Sequence, residues 1–503
     1  MAQQKYSLDM QDTVYPLLST QQTRTIIGGA IGQSPSATTK PGVAYMHNVM
    51  PTRYGMNSVG YREILPAFPD PTGQILFEDV RVIFGDQGTR YYVAFTNLAQ
   101  LFRVNDTGDA WIAMQSNIFG NTSGNDITTA VVNGVTYVGN SNIAIYAYNE
   151  VLGRFLAITA SGLDMSQVLG VVASSGYLIA YTKDALAWSS TIDPTDFAPS
   201  QITGAGGGKV AGTDGDILFA TSNSLGILIY TFNNVIAGTY TGNPLYPFKF
   251  REVDGSKGGL TLDTVAYEAN ATNQFVYSKA GLQSVSSQKA ENLLPEITDF
   301  LSGRVFEDFN EATKLIATTY LTVSEQLVKK VKYVASRYLI ISYGLPTTGF
   351  THALVIDTAM NKVGKLRADH VDVFEYVGDQ ASVTEESIAL VQANGVTSVV
   401  DFSTLAASTG VLVMGKLQAT LSRHLGLMGV QVENVLTGAA LEVLSSSSLD
   451  GKNFTNVPSY LADEASNVRD YLFRSSALTH NITLIGTFNL VTLLVAFRVE
   501  GKR

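Results

Sequence analysis

The feature that most constrains this chain is a cadence. Residues 75–84, 90–95, 99–104 and 110–114 are short runs rich in Val, Ile, Tyr and Phe, parted by Gly85-Asp86-Gln87-Gly88 and Asn105-Asp106-Thr107-Gly108. Turn-forming residues between β-branched and aromatic runs predict antiparallel hairpins. Four strands in roughly forty residues is the size of one propeller blade. The rhythm returns at 127–132, 135–138, 143–148 and 155–158, and again at 168–173, 177–181 and 185–188. It continues at 210–220, 226–232 and 248–253, then at 264–268 and 274–285. Later runs lie at 328–343, 352–357, 371–377, 387–392 and 398–402. The expected fold is all-β. A β-propeller of five to seven blades spans 66–407, after an N-terminal extended arm and lead-in (1–65) and before a C-terminal β-sandwich-like unit (408–503). Stacked β-sandwiches are the rival, because the repeats are geometric and carry no WD or kelch signature.

Several stretches depart from the cadence. ENLLPEITDFLS (291–302) places Leu294, Ile297, Phe300 and Leu301 on one face, with Pro295 early and Gly303 just after, which predicts a helical insertion. The stretch 185–210, ALAWSSTIDPTDFAPSQITGAGGGKV, starts as a strand ending at Trp188. Its Pro194, Pro199, Gly204, Gly206, Gly207 and Gly208 then predict a long, specifically shaped loop rather than a ladder. Residues 1–40 hold no sustained period and read as an arm, disordered alone or ordered against a neighbouring subunit. Near the C-terminus, 410–432 holds two strands and Asp450-Gly451 is a hairpin signal. The apolar run 482–499 is broken by Gly486, Asn489 and Thr492, so it reads as buried strands rather than a membrane span.

Composition narrows the function. Charged residues make up 15% of the chain, against roughly 25% in typical soluble domains. A large surface with so few charges is either covered by partners or rich in Ser, Thr and Asn; assembly is the favoured expectation. A net charge of −10 argues against nonspecific nucleic-acid binding, which needs a basic surface. An acidic wall still lets a DNA strand slide past. With no cysteine there is no disulfide and no thiolate nucleophile or ligand. The first residues, MAQQKYSLDM, lack a signal-peptide pattern, so export by the usual route is not expected.

The chemistry-bearing candidates are sparse. Of the five histidines, His47, His352, His370, His424 and His480, only His370 has close carboxylates, Asp369 and Asp372, and structural histidine is the favoured reading. Gly204 to Lys209 lacks P-loop spacing, since Thr203 and Val210 occupy the positions of the first glycine and the Ser/Thr. Asp106-Thr107-Gly108-Asp109-Ala110-Trp111 has the spacing of an Asp-box turn, a structural element, and Ser448-Leu449-Asp450-Gly451 is a looser echo. Lys329, Lys330 and Lys332 form the densest basic cluster. On a strand Lys330 and Lys332 share a face and could touch phosphate, but a solvated strand edge is the commoner explanation. No catalytic residue, cofactor or metal site is expected, and the chain is not expected to be an enzyme.

Three pieces carry a resemblance. The segment IIGGAIGQSPSATTKPGVAYMHNVMPTRYGMNSVGYRE is similar to the opening of short-tailed bacteriophage tail proteins through Gly28, Gly29, Gln33, Pro35, Pro41, Gly42, Asn48 and Gly55. Gly60-Tyr61-Arg62-Glu63 stands where that family has Arg-Pro. The stretch from Trp188 to Gly208 resembles the W-S-x-x-x-D-P-x-D-F-x-P … G-A-G-G-G segment of phage nozzle or tail-hub propellers. The closing GKLQATLSRHLGLMGVQVENV … SLDGKNF … GTFNL resembles their C-terminal β unit. The resemblance implies a virion protein of the tail, assembled in the host cytoplasm as a homo-oligomeric, hexameric ring below the portal and adaptor. Such a ring retains packaged DNA and passes it, without sequence-specific binding, toward the host envelope. Candidates for subunit contact or gate are then Ile26, Ile27, Gly28, Gly29, Gln33, Pro35, Trp188, Asp193, Phe197, Gly206 and Gly207. A carbohydrate-binding propeller of a tail fibre, using exposed tyrosines, is the alternative, and a glycan hydrolase stands behind it.

Overall fold

The computed structural model describes residues 4–9, 43–52, 55–70, 72–85, 88–116, 127–140, 144–267, 271–293, 301, 306–310, 314–319, 328–344, 349–360, 362–377, 387–402, 409–414, 423–434, 440–449, 455–465 and 468–502. Six of its sheets are four-stranded antiparallel units, and the first four strands of an 11-stranded sheet make one more of the same kind. Among the described residues these form seven blades: 77–115, 127–157, 170–209, 217–252, 265–292, 328–370 and 372–401. The first strand of every blade lines one axial cavity, so the sheets stand radially around it. The protein is an all-β propeller with a β-sandwich attached, and the stacked-sandwich alternative does not hold.

Blade 7 supplies only three of its own strands. Its fourth is Gly60–Leu65, antiparallel to Thr397–Asp401, with Val399 opposite Arg62 and Asp401 opposite Gly60. A strand from before the first blade therefore closes the last one. The seam between blades 7 and 1 is further tied by Trp111, whose Nε1 donates to the Gly395 carbonyl at 2.9 Å, and by Tyr376, whose hydroxyl donates to the Gly108 carbonyl at 3.0 Å.

The sandwich draws on both ends of the chain. One sheet orders Val43–His47, Gly410–Met414, Thr479–Gly486, Leu441–Ser448 and Thr455–Pro458. The other runs from Val49–Pro51 and Met56–Ser58 through Asn489–Lys502, Arg423–Asn434 and Val468–Ala477 to Tyr460–Ala465, with Gln4–Asp9 paired to Asn489–Lys502. Val411, Val413, Ile482 and Leu484 of the first sheet meet Leu427, Val430, Phe473 and Leu490 of the second in one core. This second sheet is continuous with blade 6, because Val49–Pro51 pairs with the blade's outer strand, Lys362–His370. Gly364 permits that approach: a Cβ there would lie 2.3 Å from the Val49 carbonyl oxygen.

The structure corrects several expectations. The lead-in segment is no arm beyond residue 43, since 43–58 builds the sandwich and 60–65 closes the propeller. Gln4–Asp9 is a strand as well, and residues 10–42 lie outside the described set. Of the expected helix at 291–302, Ala290–Asn292 is the outer strand of blade 5 and 294–300 lie outside the described residues. Leu301 is helical and buried, and a hairpin, Phe306–Asn310 with Leu315–Thr319, follows. The glycine-rich end of 185–210 is a ladder after all: Gly206–Lys209 pairs with Ala185–Trp188 as the outer strand of blade 3. Glycine is needed there because a Cβ on Gly207 would sit 2.7 Å from the Leu186 carbonyl. The run 482–499 belongs to two strands, and no helix among the described residues is long and apolar enough to cross a membrane.

Candidate functional site

The loop that carries the strongest resemblance, 189–205, joins the third and fourth strands of blade 3 and is built almost wholly from its own hydrogen bonds. Ser189, fully buried, accepts from the Leu178 amide at 3.0 Å and donates to the Ser190 carbonyl. The Ser190 hydroxyl accepts from the amides of Ile192 and Asp193. Asp193 caps the next turn, accepting from the Thr195 amide and hydroxyl. Asp196 accepts from the Ser161 hydroxyl at 2.7 Å and the Ala198 amide at 3.1 Å, and that Ser161 bond foremost holds its carboxyl below the usual range. The Trp188 indole closes the loop by donating to the Gly204 carbonyl at 3.0 Å. Short Ser/Asp side chains that bond nearby amides fix a loop in one shape.

What this fixed loop presents is apolar. Ile192 is 80% exposed and Ile202 is 93% exposed. In a four-stranded antiparallel blade the third-to-fourth turns share one end with the first-to-second turns. The same turn of blade 2 exposes Val151 and Leu152, and that of blade 4 exposes Leu245 and Tyr246. A Cβ added at Gly204 of the blade 3 loop would come within 3.4 Å of Pro244 in the blade 4 turn, so the two loops adjoin. Three successive blades thus carry exposed apolar side chains on one rim.

A second constellation closes one end of the axial cavity. Lys330 and Lys332 project from the inner strand of blade 6 on the same side, while Val331 between them packs into the sandwich-side core. Lys330, 2% exposed, lies 3.0 Å from Asp79 of blade 1 and 3.3 Å from Asp372 of blade 7, and donates to the Glu78 carbonyl at 3.0 Å. Lys332 reaches the same two carboxylates at 2.9 and 3.3 Å. Arg81 adds an ion pair to Asp79 through Nε. Burial alone would raise the Asp79 carboxyl, but Arg81, Lys330 and Lys332 together hold it well below its ordinary value. Burial pushes Asp372 up to about 6 against the pull of the same lysines, so any proton the pair keeps sits on Asp372. The two lysines are therefore not a solvated strand edge: they lock three blades at the axis.

No family model matches the chain, and no curated protein matches it. Solved structures similar in fold include a chain of one titled "Crystal Structure of Mitotic Checkpoint Complex", at TM-score 0.35 and 10% identity, covering 74% of this chain and 96% of that chain. At that score the likeness bears on neither site.

The sequence-predicted residues separate into three groups. Ile26, Ile27, Gly28, Gly29, Gln33 and Pro35 lie outside the described residues. Asp193, Trp188, Gly206 and Gly207 come together in or beside the blade 3 loop, where they shape it. Phe197 is 2% exposed and packs with Val168, Leu178 and Tyr137 between blades 2 and 3. As a buried anchor it is unavailable for subunit contact, which corrects its place among the candidates. The exposed apolar side chains of this loop, Ile192 and Ile202, stand between those motif residues and carry no signal of their own in the sequence. His370 is structural: Nδ1 donates to the Ala368 carbonyl at 2.7 Å, and Nε2, left as the acceptor, takes the Ser342 hydroxyl at 2.8 Å. Among the described residues no cluster of His, Asp and Glu could hold a metal ion. Asp79 and Arg81 had no signal except as charges inside the apolar run FEDVRVIF, and Asp372 drew notice only as a neighbour of His370.

Proposed function

We propose that this chain is a structural subunit of a short-tailed bacteriophage tail, a nozzle or hub protein that assembles into a homo-oligomeric, hexameric ring joined to the portal and adaptor. The ring retains packaged DNA and channels it during ejection. The observation that carries this reading is the blade 3 loop. It is the segment that resembles the phage propellers, it is rigid through its own hydrogen bonds, and it presents Ile192 and Ile202 to solvent. A preorganised loop with two exposed isoleucines loses little entropy when covered, which is the economy of a permanent protein contact. Apolar residues on the turns of blades 2 and 4 extend this exposed apolar surface along the rim, and such patches mark interaction sites. The Lys330 ion cluster ties the inner strands of blades 6, 7 and 1 together beside the axial cavity, and in this reading DNA runs through the centre of the ring and not through a blade axis.

The test is the double variant Ile192→Asp/Ile202→Asp, compared with wild type by sedimentation velocity and thermal unfolding. The reading expects a unique large assembly for wild type and its loss in the variant, with Tm unchanged because both side chains are exposed. An assembly indifferent to both substitutions would remove this rim from the interface. Saturable glycan binding by a chain that stays monomeric would favour the tail-fibre alternative.

A further inference from the structure

The axial cavity has a volume of about 1060 Å³ and is lined by the inner strands of all seven blades. The first-to-second turns of the blades, represented by Asn133, Ser175, Ser224 and Ser336, ring its mouth. The Asp79–Lys330–Asp372–Lys332 cluster is its floor. The acids of that floor are sealed behind its cations: the side chains of Asp79 and Asp372 are 1% and 0% exposed, whereas Arg81 and Lys332 are 13% and 27% exposed and line the cavity. What a molecule entering the cavity meets at the bottom is therefore mostly donor groups.

Arg81 is the decisive side chain. Its Nε is engaged by Asp79 and its guanidinium carbon sits 5.6 Å from the centre of the Phe95 ring. Among the described residues neither Nη group donates a hydrogen bond. A guanidinium pinned at Nε, with both Nη groups unspent in a cavity, is a preorganised fork for a planar or tetrahedral oxyanion. Tyr267, half-buried on the same cavity wall, also makes no hydrogen bond through its hydroxyl among the described residues. Arg81 and Lys332 line the same cavity as Tyr267. Asp263, 24% exposed, is the acid that retains access to this floor, and it lies 3.9 Å from Lys330. Higher on the wall, Thr129, Ser222 and Asn133 offer neutral hydrogen-bonding groups to the rest of a ligand.

We propose that the axial cavity binds a small polar ligand bearing one carboxylate or phosphate group, gripped by the Arg81 fork with Tyr267 and Lys332 as supporting donors. A single oxyanion fits the site better than a polyanion, because Asp263 near the floor repels additional negative charge, and at the mouth, beside Asn133, Ser175, Ser224 and Ser336, the Arg90 charge is already paired with Glu375. The volume accommodates a ligand of monosaccharide to disaccharide size, within the range of small-molecule pockets. The mouth opens at the same end of the propeller as the proposed assembly rim, but none of the site's side chains belongs to that rim, so binding to the chain and assembly of the chain are read by separate experiments.

Calorimetric titration of the full chain at fixed ionic strength tests the proposal with three probes: glucuronate for the carboxylate, glucose 6-phosphate for the phosphate, and glucose as the neutral control. Saturable binding of at least one anion at one site per chain, with none for glucose, is expected; which anion binds tells the two oxyanions apart. Arg81→Lys keeps the charge and loses the fork, and should weaken binding by roughly tenfold or more, while Tyr267→Phe should weaken it several-fold. Asp263→Asn should tighten it by removing the opposing charge. If Arg81→Lys does not fold, Tyr267→Phe and Asp263→Asn decide. No heat of binding from either anion at millimolar concentration, glucose binding as tightly as the anions, or affinities unmoved by the substitutions would overturn the proposal.

Discussion

Replacing Lys330 with methionine keeps the length of the side chain and removes the charge that joins blades 6, 7 and 1. Its ammonium is 3.0 Å from Asp79 and 3.3 Å from Asp372, both sealed from solvent. Breaking a buried ion network from one side costs about 3–5 kcal/mol, because the partners stay desolvated. Asp372 has an escape, since a carboxyl can stay protonated. Burial already pushes it up to about 6 with Lys330 present, and without Lys330 it must rise further. A carboxyl raised above its unfolded value stabilises fully below that value, and the contribution is lost as pH rises through the folded pKa. In wild type this loss is nearly complete by neutral pH. In Lys330→Met it continues above pH 6, at up to about 1.4 kcal/mol per pH unit. Wild type still loses about 0.4 kcal/mol over this range, so the difference between variant and wild type should grow by up to about 2.3 kcal/mol between about pH 6 and pH 8. Urea unfolding followed by circular dichroism at these pH values reads it directly. A difference below about 1 kcal/mol, typical of exposed pairs, or one that does not change with pH, would refute the reasoning.

Other parts of the structure are open to similar tests. Burial holds the His370 imidazole down at about 4, so the folded protein refuses a proton that the unfolded chain accepts near its ordinary value. Stability should be full above about pH 6.5 and fall toward pH 4, and His370→Gln should flatten that slope by about 3 kcal/mol in total, read from unfolding midpoints. Gly364→Val drives a side chain against the Val49 carbonyl and should detach Val49–Pro51 from blade 6. Limited proteolysis should then cut within 43–58, and an unchanged digestion pattern would contradict the account of that junction. Trp111→Phe removes the indole donor to Gly395 across the closing seam and should cost about 1–2 kcal/mol in thermal or urea unfolding.

The blade cadence was legible because its pairing is local. Strands such as Ile127–Val132 and Val135–Asn140 are joined by two residues, and their turn chemistry announces them. Strands with unusual composition were missed. Val235–Tyr240 was hidden by its small residues, Gly206–Lys209 by its glycines, and Lys362–His370 by charges, of which Lys362 and Lys365 are buried where the sandwich sheet joins the blade. Gly60–Leu65 pairs with a strand more than 300 residues away, and no local pattern encodes such a partner. The same holds for the ion cluster. Lys330 reads as an edge lysine until Asp79 and Asp372 arrive from other blades and turn it into the best-buried cation of the axis. The blade 3 loop was singled out through its prolines, glycines and Trp188, but its exposed surface belongs to Ile192 and Ile202, apolar residues that a linear pattern assigns to the core.

The most direct test of the proposed function is native mass measurement and electron microscopy of the purified full-length chain, alone and with virion connector proteins. The account predicts a closed ring of identical subunits with an open centre wide enough for duplex DNA, joined to the connector through one face. A chain that remains monomeric and never binds the connector would contradict it.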